Sequence, residues 1–251
     1  MDATRRFGGI DRLYPVASGD SSALDRLQAA RVAVVGLGGV GSWLAEALAR
    51  SGVGALTLID MDHVAESNIN RQIHALDTTL GQSKVQAMAE RIAAYAPACR
   101  VQVLDDFLTP DNLSALLGDS RWSAVSDCCD QVNTKAALAA WARQTAVPVV
   151  LAGAAGGKTR PARLRMADLA EVTMDPLLAK VRYRLRRTYD FPRTGLCRVP
   201  AVYSDEPLRR AANGESGGGL NCAGYGSAVT VTATMGLHMA AWIIEQVLTR
   251  H

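Results

Sequence analysis

Short apolar runs alternate with amphipathic segments from Val32 to Ala152, and this alternation predicts an α/β fold. Val32–Val35 and Leu56–Ile59 are aliphatic and short, as buried parallel strands are, and Trp43–Arg50 between them has apolar residues at helical spacing. The alternation continues with predicted strands at Val101–Leu104, Ala124–Ser126 and Pro148–Ala152, and predicted helices at Ser83–Tyr95, at Thr109–Leu117 and from Asn133 or Thr134 to Thr145. This spacing implies right-handed crossovers and a mostly parallel sheet with helices on both faces.

The pattern changes after Gly153, where the chain becomes richer in arginine and glycine. We predict an antiparallel strand at Thr159–Met166, a helix at Leu169–Tyr189 broken near Pro176, a strand at Leu196–Tyr203 and a mobile loop at 204–219. The expected organisation is an N-terminal arm and helix at 1–30, a nucleotide-binding domain at 31–153 and an extension at 154–251 on the same sheet.

The stretch Ala223–Val247 is apolar enough to be mistaken for a membrane span. It contains several glycines and threonines together with His238 and Glu245, which favour a buried strand-to-helix segment instead. We therefore expect no membrane contact.

Composition bears on the cellular compartment of the protein and on whether it carries structural zinc. The chain has 251 residues, of which 49% are hydrophobic and 20% charged, and its net charge of +3 permits an anionic partner without requiring one. Its N-terminus lacks the apolar run of a secretory signal, so we expect a cytoplasmic protein. No two cysteines have the C-x-x-C spacing of a structural zinc site, and their odd number indicates reduced thiols: Cys99, Cys128, Cys129, Cys197 and Cys222.

A glycine-rich turn follows the first predicted strand directly. Gly36, Gly38, Gly39 and Gly41, with Ser42, let the backbone approach a phosphate at the start of the next helix. After the second strand, Asp60 is placed to bind ribose hydroxyls. These features predict a nucleotide site at the carboxyl edge of the sheet, with NAD, another nucleotide and a packing role all open on this observation.

Charged residues at the same edge favour ATP over NAD. Asp127 and Asp130 end the fourth strand, and the Asp130 carboxylate could hold an Mg²⁺ that bridges phosphates. Arg71 and Lys84 flank the edge, and such cations suit a triphosphate, which a hydride-transferring enzyme does not need to neutralise.

These motifs together resemble the ThiF/MoeB superfamily, which has the Rossmann-like fold of ubiquitin-activating enzymes and adenylates carboxylates with ATP. The motifs are Gly36-x-Gly38-Gly39-Val40-Gly41-Ser42, Asp60-x-Asp62, Asn68-x-Asn70-Arg71-Gln72, Lys84 and Asp127-x-x-Asp130. The resemblance implies that all these residues form the ATP site. Within it, Asp60 would hold the ribose, Asn68 would lie in the nucleotide and metal region, and Asp130 would bind Mg²⁺. Arg71 and Lys84 would bind the phosphates.

The resemblance also implies a homodimer. A superfamily arginine near the N-terminus reaches the phosphates of the partner subunit, and Arg12 best occupies that place, with Arg6 as the alternative.

Stretches from Arg6–Tyr14 to Val231–Gly236 resemble one branch of the superfamily nearly end to end. Members of that branch dehydrate threonylcarbamoyladenosine at position 37 of the tRNA anticodon loop, releasing AMP and pyrophosphate. The alternative is an activator of a ubiquitin-like sulfur-carrier protein, although the two C-x-x-C pairs usual in such activators are absent from this sequence. An NAD-dependent oxidoreductase and a catalytically silent binding module are the remaining interpretations.

A tRNA substrate gives the arginines of the extension a role, although a solvated helix face is an equal alternative. The candidates are Arg160, Arg163, Arg165, Arg182, Arg184, Arg186 and Arg187. By resemblance, Cys222 is a candidate reactive thiol and a cysteine-desulfurase sulfur acceptor is a candidate partner. Turns near 219–223 could bind a monovalent cation.

Overall fold

The computed structural model describes residues 3–15, 20–118, 121–207 and 225–249. The strands in these residues are β1 (Arg31–Val35), β2 (Ala55–Ile59), β3 (Arg100–Leu104), β4 (Ala124–Asp127), β5 (Val149–Ala152), β6 (Leu164–Asp168) and β7 (Pro200–Ser204). The α-helices are α1 (Ala3–Phe7), α2 (Gly9–Leu13), α3 (Ala23–Ala29), α4 (Gly41–Arg50), α5 (Lys84–Tyr95), α6 (Leu113–Leu117), α7 (Val132–Thr145), α8 (Pro176–Thr188) and α9 (Val229–Thr249).

The strands form a sheet in the order β3-β2-β1-β4-β5-β7-β6, and every neighbouring pair is parallel except β6 with β7. The predicted mostly parallel α/β sheet with an antiparallel C-terminal extension is therefore confirmed. Val35 at the end of β1 is in register with Ile59 of β2 and Asp127 of β4. This register brings the loops after β1, β2 and β4 to one edge.

Apolar layers lie on both faces of the sheet, because alternate residues of a buried strand point to opposite sides. Val32 and Val34 of β1 pack in the layer that contains α4, α5 and α9. Ala33 and Val35 pack in the layer that contains α7 and α8. The parallel strands are consequently apolar on both faces, which explains their continuous rather than alternating hydrophobic sequences.

Helix α9 crosses the first turn of α4 at very short range. A Cβ on Gly236 would lie 2.5 Å from the Val40 carbonyl oxygen and 2.9 Å from the Leu44 nitrogen, so only glycine allows this approach. Met235 and Met239 on the same helix are fully buried. Among the described residues, no helix is long and apolar enough to cross a membrane.

Two predicted helices begin later than their sequences indicated. Thr109 and Asn112 bond each other's backbone N–H groups in a turn, so α6 begins at Leu113. Residues 169–175 are not helical, because Asp175 caps α8 by accepting from the Leu178 nitrogen at 2.9 Å, and Pro176 takes the first helical position.

The strand predicted at Thr159–Met166 is displaced and forms only from Leu164 to Asp168. The loop predicted at 204–219 begins one residue later, because Ser204 belongs to β7, and most of it lies outside the described residues.

Candidate active site

The glycine turn after β1 is shaped by close backbone contacts. Gly36 has φ +84°, and a Cβ there would lie 2.9 Å from the Cys129 nitrogen. A Cβ on Gly41 would lie 1.8 Å from the Gly36 carbonyl oxygen, so neither position accepts a side chain without rearrangement. Gly38 differs, because a Cβ there would meet no described atom within 4 Å. The backbone of Gly38 therefore faces open space.

The N-terminus of α4 opens onto this turn. No side chain caps it, and no acidic residue lies in its first turn, so its backbone N–H groups present a partial positive charge. Ser42 is fully buried, and its hydroxyl oxygen accepts from the Ile73 nitrogen at 3.4 Å. Ser42 thus joins the helix start to the segment that follows Arg71.

Arg71 lies directly over the glycine turn. Its Cγ would be 3.2 Å from a Cβ on Gly39, and its Nη1 donates to the Ser67 carbonyl and the Asn70 side-chain oxygen, each at 2.8 Å. Within the described residues, no carboxylate pairs with this guanidinium. Its positive charge is consequently free to balance an anion at the start of α4.

Asp60 holds the glycine turn from the end of β2. Its Oδ2 accepts from the Leu37 nitrogen at 2.6 Å and its Oδ1 accepts from the Asp62 nitrogen at 2.8 Å. Burial raises the pKa of this carboxyl group, against the opposing influence of Lys84 and the two N–H donors. Each carboxylate oxygen keeps a second lone pair that a ribose hydroxyl could use.

Lys84 is the first residue of α5, and it is buried near the Asp60 carboxylate. Its Nζ donates to the Asp62 Oδ2 at 2.7 Å, and the carboxylate of Asp62 is itself more than half exposed. Asp62 therefore holds Lys84 at the rim of the site and offsets the unfavourable position of a cation at a helix N-terminus.

The Asn68–Gln72 segment is held by backbone hydrogen bonds within the turn and by side-chain contacts to backbone groups. Asn68 accepts from the Ala65 nitrogen at 3.1 Å, and Asn70 donates to the Ser227 carbonyl at 3.2 Å, which connects this loop to the approach to α9. The Gln72 Oε1 is buried without a hydrogen-bond partner in the described structure.

Asp127 and Lys135 form a buried ion pair that the sequence reasoning missed. Both side chains are fully buried, and the lysine Nζ donates to the Asp127 Oδ1 and to the Asp127 carbonyl, each at 3.2 Å. Burial opposes the lysine charge, but the Asp127 carboxylate favours it, and the lysine pKa is raised. The Asp127 carboxylate thus faces the protein interior in this structure, and its assignment to the nucleotide site stays a prediction. The sequence signal that could have indicated this ion pair is a lysine inside the alanine-rich run of α7.

Asp130 has the opposite environment, because its side chain is exposed and accepts from the Gln131 amide at 3.3 Å. The described residues hold no cluster of three or more metal-ligating side chains. A single open carboxylate nevertheless fits Mg²⁺, which takes one or two carboxylates and completes its shell with phosphate oxygens and water.

The two N-terminal arginines differ in what they contact. Both are exposed, but Arg6 donates to the Tyr95 carbonyl at the C-terminal end of α5 in its own chain, whereas Arg12 lies on α2. This difference favours Arg12 over Arg6 as the residue that could reach a second subunit.

The described thiols are poor nucleophiles by environment. Burial raises the pKa of Cys128 and of Cys129, so both are protonated at neutral pH. Burial also raises the pKa of Cys197 and, to about 11, that of Cys99. Cys222 and the turns at 219–223 lie outside the described residues.

Four of the seven arginines proposed for tRNA contact are engaged within the protein. Arg163 and Arg165 pair with Asp205, and Arg182 donates to three carbonyls in the 169–172 turn. Arg186 donates to the Pro192 carbonyl at 3.0 Å. The side chains of the other three are exposed: Arg160, Arg184 and Arg187.

Comparison with known proteins agrees with this geometry. The family model described as "ThiF family" matches residues 10–251. The chain belongs to the ThiF family. A ThiF-family relative, the tRNA threonylcarbamoyladenosine dehydratase of Haemophilus influenzae, is 42% identical over 98% of this chain and 94% of its own length.

Solved structures support the same relationship. The crystal structure of the Escherichia coli tRNA N6-threonylcarbamoyladenosine dehydratase TcdA in complex with ATP is 43% identical, with a TM-score of 0.87 over 98% of this chain and 96% of that one. A structure of the same enzyme in complex with AMP also has a TM-score of 0.87. The molybdopterin-synthase adenylyltransferase of Salmonella typhimurium is 38% identical but matches 52% of this chain.

Proposed function

We propose that this ThiF-family protein uses ATP to dehydrate threonylcarbamoyladenosine at position 37 in the anticodon loop of tRNA. The observation that carries the proposal is the extent of the similarity, because the dehydratase relatives match almost the whole chain. The carrier-protein adenylyltransferase matches about half of it. The larger share of the chain that the dehydratases match therefore supports a dehydratase over an activator of a sulfur-carrier protein.

In the first step, a carboxylate oxygen of the modified nucleoside attacks the α-phosphorus of ATP, and the bond to pyrophosphate breaks. The uncapped N-terminus of α4 and Arg71, whose guanidinium pairs with no carboxylate in the described residues, lie at the glycine turn that we assign to the phosphates. Both stabilise the negative charge that develops on the phosphate oxygens. Lys84, oriented by Asp62, adds a third positive group at the rim.

Asp130 is the residue that would hold Mg²⁺, because its carboxylate is exposed at the same edge. The ion would supply further neutralisation of the phosphate charge. Asp127 and Lys135 beneath it keep the turn that carries Asp130 in place.

In the second step, the carbamoyl group attacks the activated acyl carbon, and the bond to AMP breaks as a ring closes. A carbamoyl proton is released to solvent, so the net change in the nucleoside is the loss of one water. The raised pKa of Cys128 and Cys129 disfavours a covalent thioester at this edge. The Cys222 thiol, a sulfur-acceptor partner, a monovalent-cation site and a cytoplasmic location stay predictions from the sequence.

We also propose that the enzyme works as a homodimer in which Arg12 of each subunit reaches the phosphates bound to the other. The support is that Arg12 is exposed on α2, while Arg6 is engaged at the end of α5.

The deciding experiment is nucleoside analysis of tRNA after incubation with the protein, ATP and Mg²⁺. We expect a product lighter by one water than threonylcarbamoyladenosine and one AMP released per product. Formation of an adenylated protein ending in Gly-Gly, with tRNA left unchanged, would favour the carrier-protein alternative. Retention of the tRNA nucleoside without AMP release would refute the proposal.

A further inference from the structure

Positive charge is concentrated in one short part of the chain. Residues 180–198 contain seven of the 27 lysines and arginines and one of the 24 acidic residues. Because the net charge of the whole chain is only +3, the remainder is more acidic than basic. This segment comprises α8 from Lys180 onwards and the connection that leads to β7, so the positive charge is concentrated there.

The structure separates these cations into two groups by what they contact. Arg182 and Arg186 donate to backbone carbonyls of neighbouring turns and therefore hold the fold together. Arg184 and Arg187 are exposed, and no carboxylate pairs with either in the described residues. Their charge is available to a partner.

Tyr183 adds one more hydrogen-bond donor to the exposed Arg184 and Arg187. Its side chain is 62% exposed, although it lies on a helix that buries four leucine and valine side chains on its other face. The Arg187 Nη1 donates to the Tyr183 hydroxyl oxygen at 3.1 Å, which leaves the hydroxyl proton free to donate outwards. A guanidinium and a hydroxyl in contact can share one phosphate group.

The C-terminal end of α8 borders an open depression of about 520 Å³. Arg186, Arg187 and Arg193 line it together with Phe191, and the guanidinium of Arg186 is engaged by the Pro192 carbonyl. Asp190 contributes the single acidic side chain there. A concave basic surface of this kind suits a negatively charged phosphate backbone better than a flat basic surface does.

The position of α8 relates this surface to the proposed ATP site. Asp175, the N-cap of α8, also accepts from the Ala154 nitrogen just after β5, so the helix begins at the carboxyl edge of the sheet. Its 13 residues make the helix about 20 Å long, so its C-terminal end lies about that far from the Asp175 cap. A nucleotide in the site and a phosphate at the far end of α8 would thus be separated by a distance that an RNA stem spans.

We propose that Tyr183, Arg184, Arg187 and Arg193, named here the α8 surface, dock the phosphate backbone of the tRNA stem next to the loop that enters the ATP site. This inference rests on the proposed function. It also predicts that Arg163, Arg165, Arg182 and Arg186 do not contact RNA, since their guanidinium groups are already engaged.

The test compares two variants of the full-length protein that lose the same charge. In R184Q/R187Q the α8 surface loses two phosphate-binding groups. In the control R100Q/R121Q, two exposed arginines at the amino ends of β3 and β4 are replaced. Binding to tRNA is measured at several KCl concentrations, together with ATP affinity and the kcat and KM of the dehydration.

We expect R184Q/R187Q to weaken tRNA binding and raise the KM for tRNA by about tenfold, with ATP affinity and kcat unchanged. The slope of log K against log salt should fall by about 1 for each lost phosphate contact. The control should bind tRNA as the wild type does. Equal behaviour of the two variants would overturn the proposal.

Failure of the proposed function gives a different result. A wild-type protein that binds tRNA through the α8 surface but leaves its nucleosides unchanged would refute dehydration and retain the docking surface.

Discussion

His74 is buried near the proposed phosphate site without a hydrogen-bond partner for either ring nitrogen in the described structure. Burial lowers its pKa to about 4, and Lys84 and Arg91 act in the same direction. The histidine is therefore neutral in the folded protein at neutral pH.

This environment predicts a pH-dependent stability. Between pH 6.5 and 4 the unfolded chain binds a proton that the folded chain does not, so the free energy of unfolding rises with pH in this window. The total contribution is about 3 kcal/mol, lost as the pH falls. Urea unfolding at several pH values should show this slope in the wild type and in H238Q, which changes an exposed histidine. In H74L the slope should flatten, and an unchanged slope would contradict the assignment.

Lys135 provides a second prediction at the scale of single residues. Replacing it with methionine leaves the Asp127 carboxylate buried and unpaired, which should lower the free energy of unfolding by about 3–5 kcal/mol. The double variant D127N/K135M removes both charges and should recover most of that loss. Denaturant unfolding of the two proteins checks this, and equal stabilities would show that the ion pair has no coupling.

At the scale of elements, two glycines of the motif that joins β1 to α4 have different structural roles. Gly41 is required by packing, since a Cβ would lie 1.8 Å from the Gly36 carbonyl oxygen, whereas Gly38 faces open space. The motif alone does not distinguish these roles, because both residues are glycines of the same short stretch after β1, although Gly41 already belongs to α4.

We expect G38A to unfold at the wild-type temperature and to lose at least about tenfold in ATP affinity, because the new methyl group would occupy phosphate space. G41A should unfold at a lower temperature even without nucleotide. Thermal unfolding with and without ATP measures both effects, since a ligand raises the unfolding temperature according to its affinity. Normal ATP affinity in G38A would place the phosphates elsewhere.

The secondary structure was largely predictable at this scale. The five parallel strands from β1 to β5 were located to within one residue at each end, because apolar runs flanked by turns are a local signal. The starts of α6 and α8 were wrong because Thr109 and Asp175 bond backbone groups in ways that helical periodicity does not report.

At the scale of the whole molecule, the proposed dimer makes each site depend on two subunits. R12A and D130N should each be inactive alone, because one removes a group donated to the partner and the other a group of the same chain. After mixing and exchange of subunits, heterodimers contain one intact site, so activity should return to about a quarter of the wild-type value. AMP release measures the recovery. No recovery, with heterodimers demonstrated, would refute donation of Arg12 across the interface.

The sequence by itself determined the layered α/β architecture, the position of the glycine turn and the charged residues at the sheet edge. These features follow from local periodicity and from where parallel strands end. Only the tertiary structure decided which charges are free. Arginine and lysine side chains are long, and whether Arg182 meets carbonyls or Lys135 meets Asp127 depends on segments brought together by packing. The same folding leaves Arg71, Arg184 and Arg187 without a carboxylate in the described residues, and their charge is what a phosphate can use.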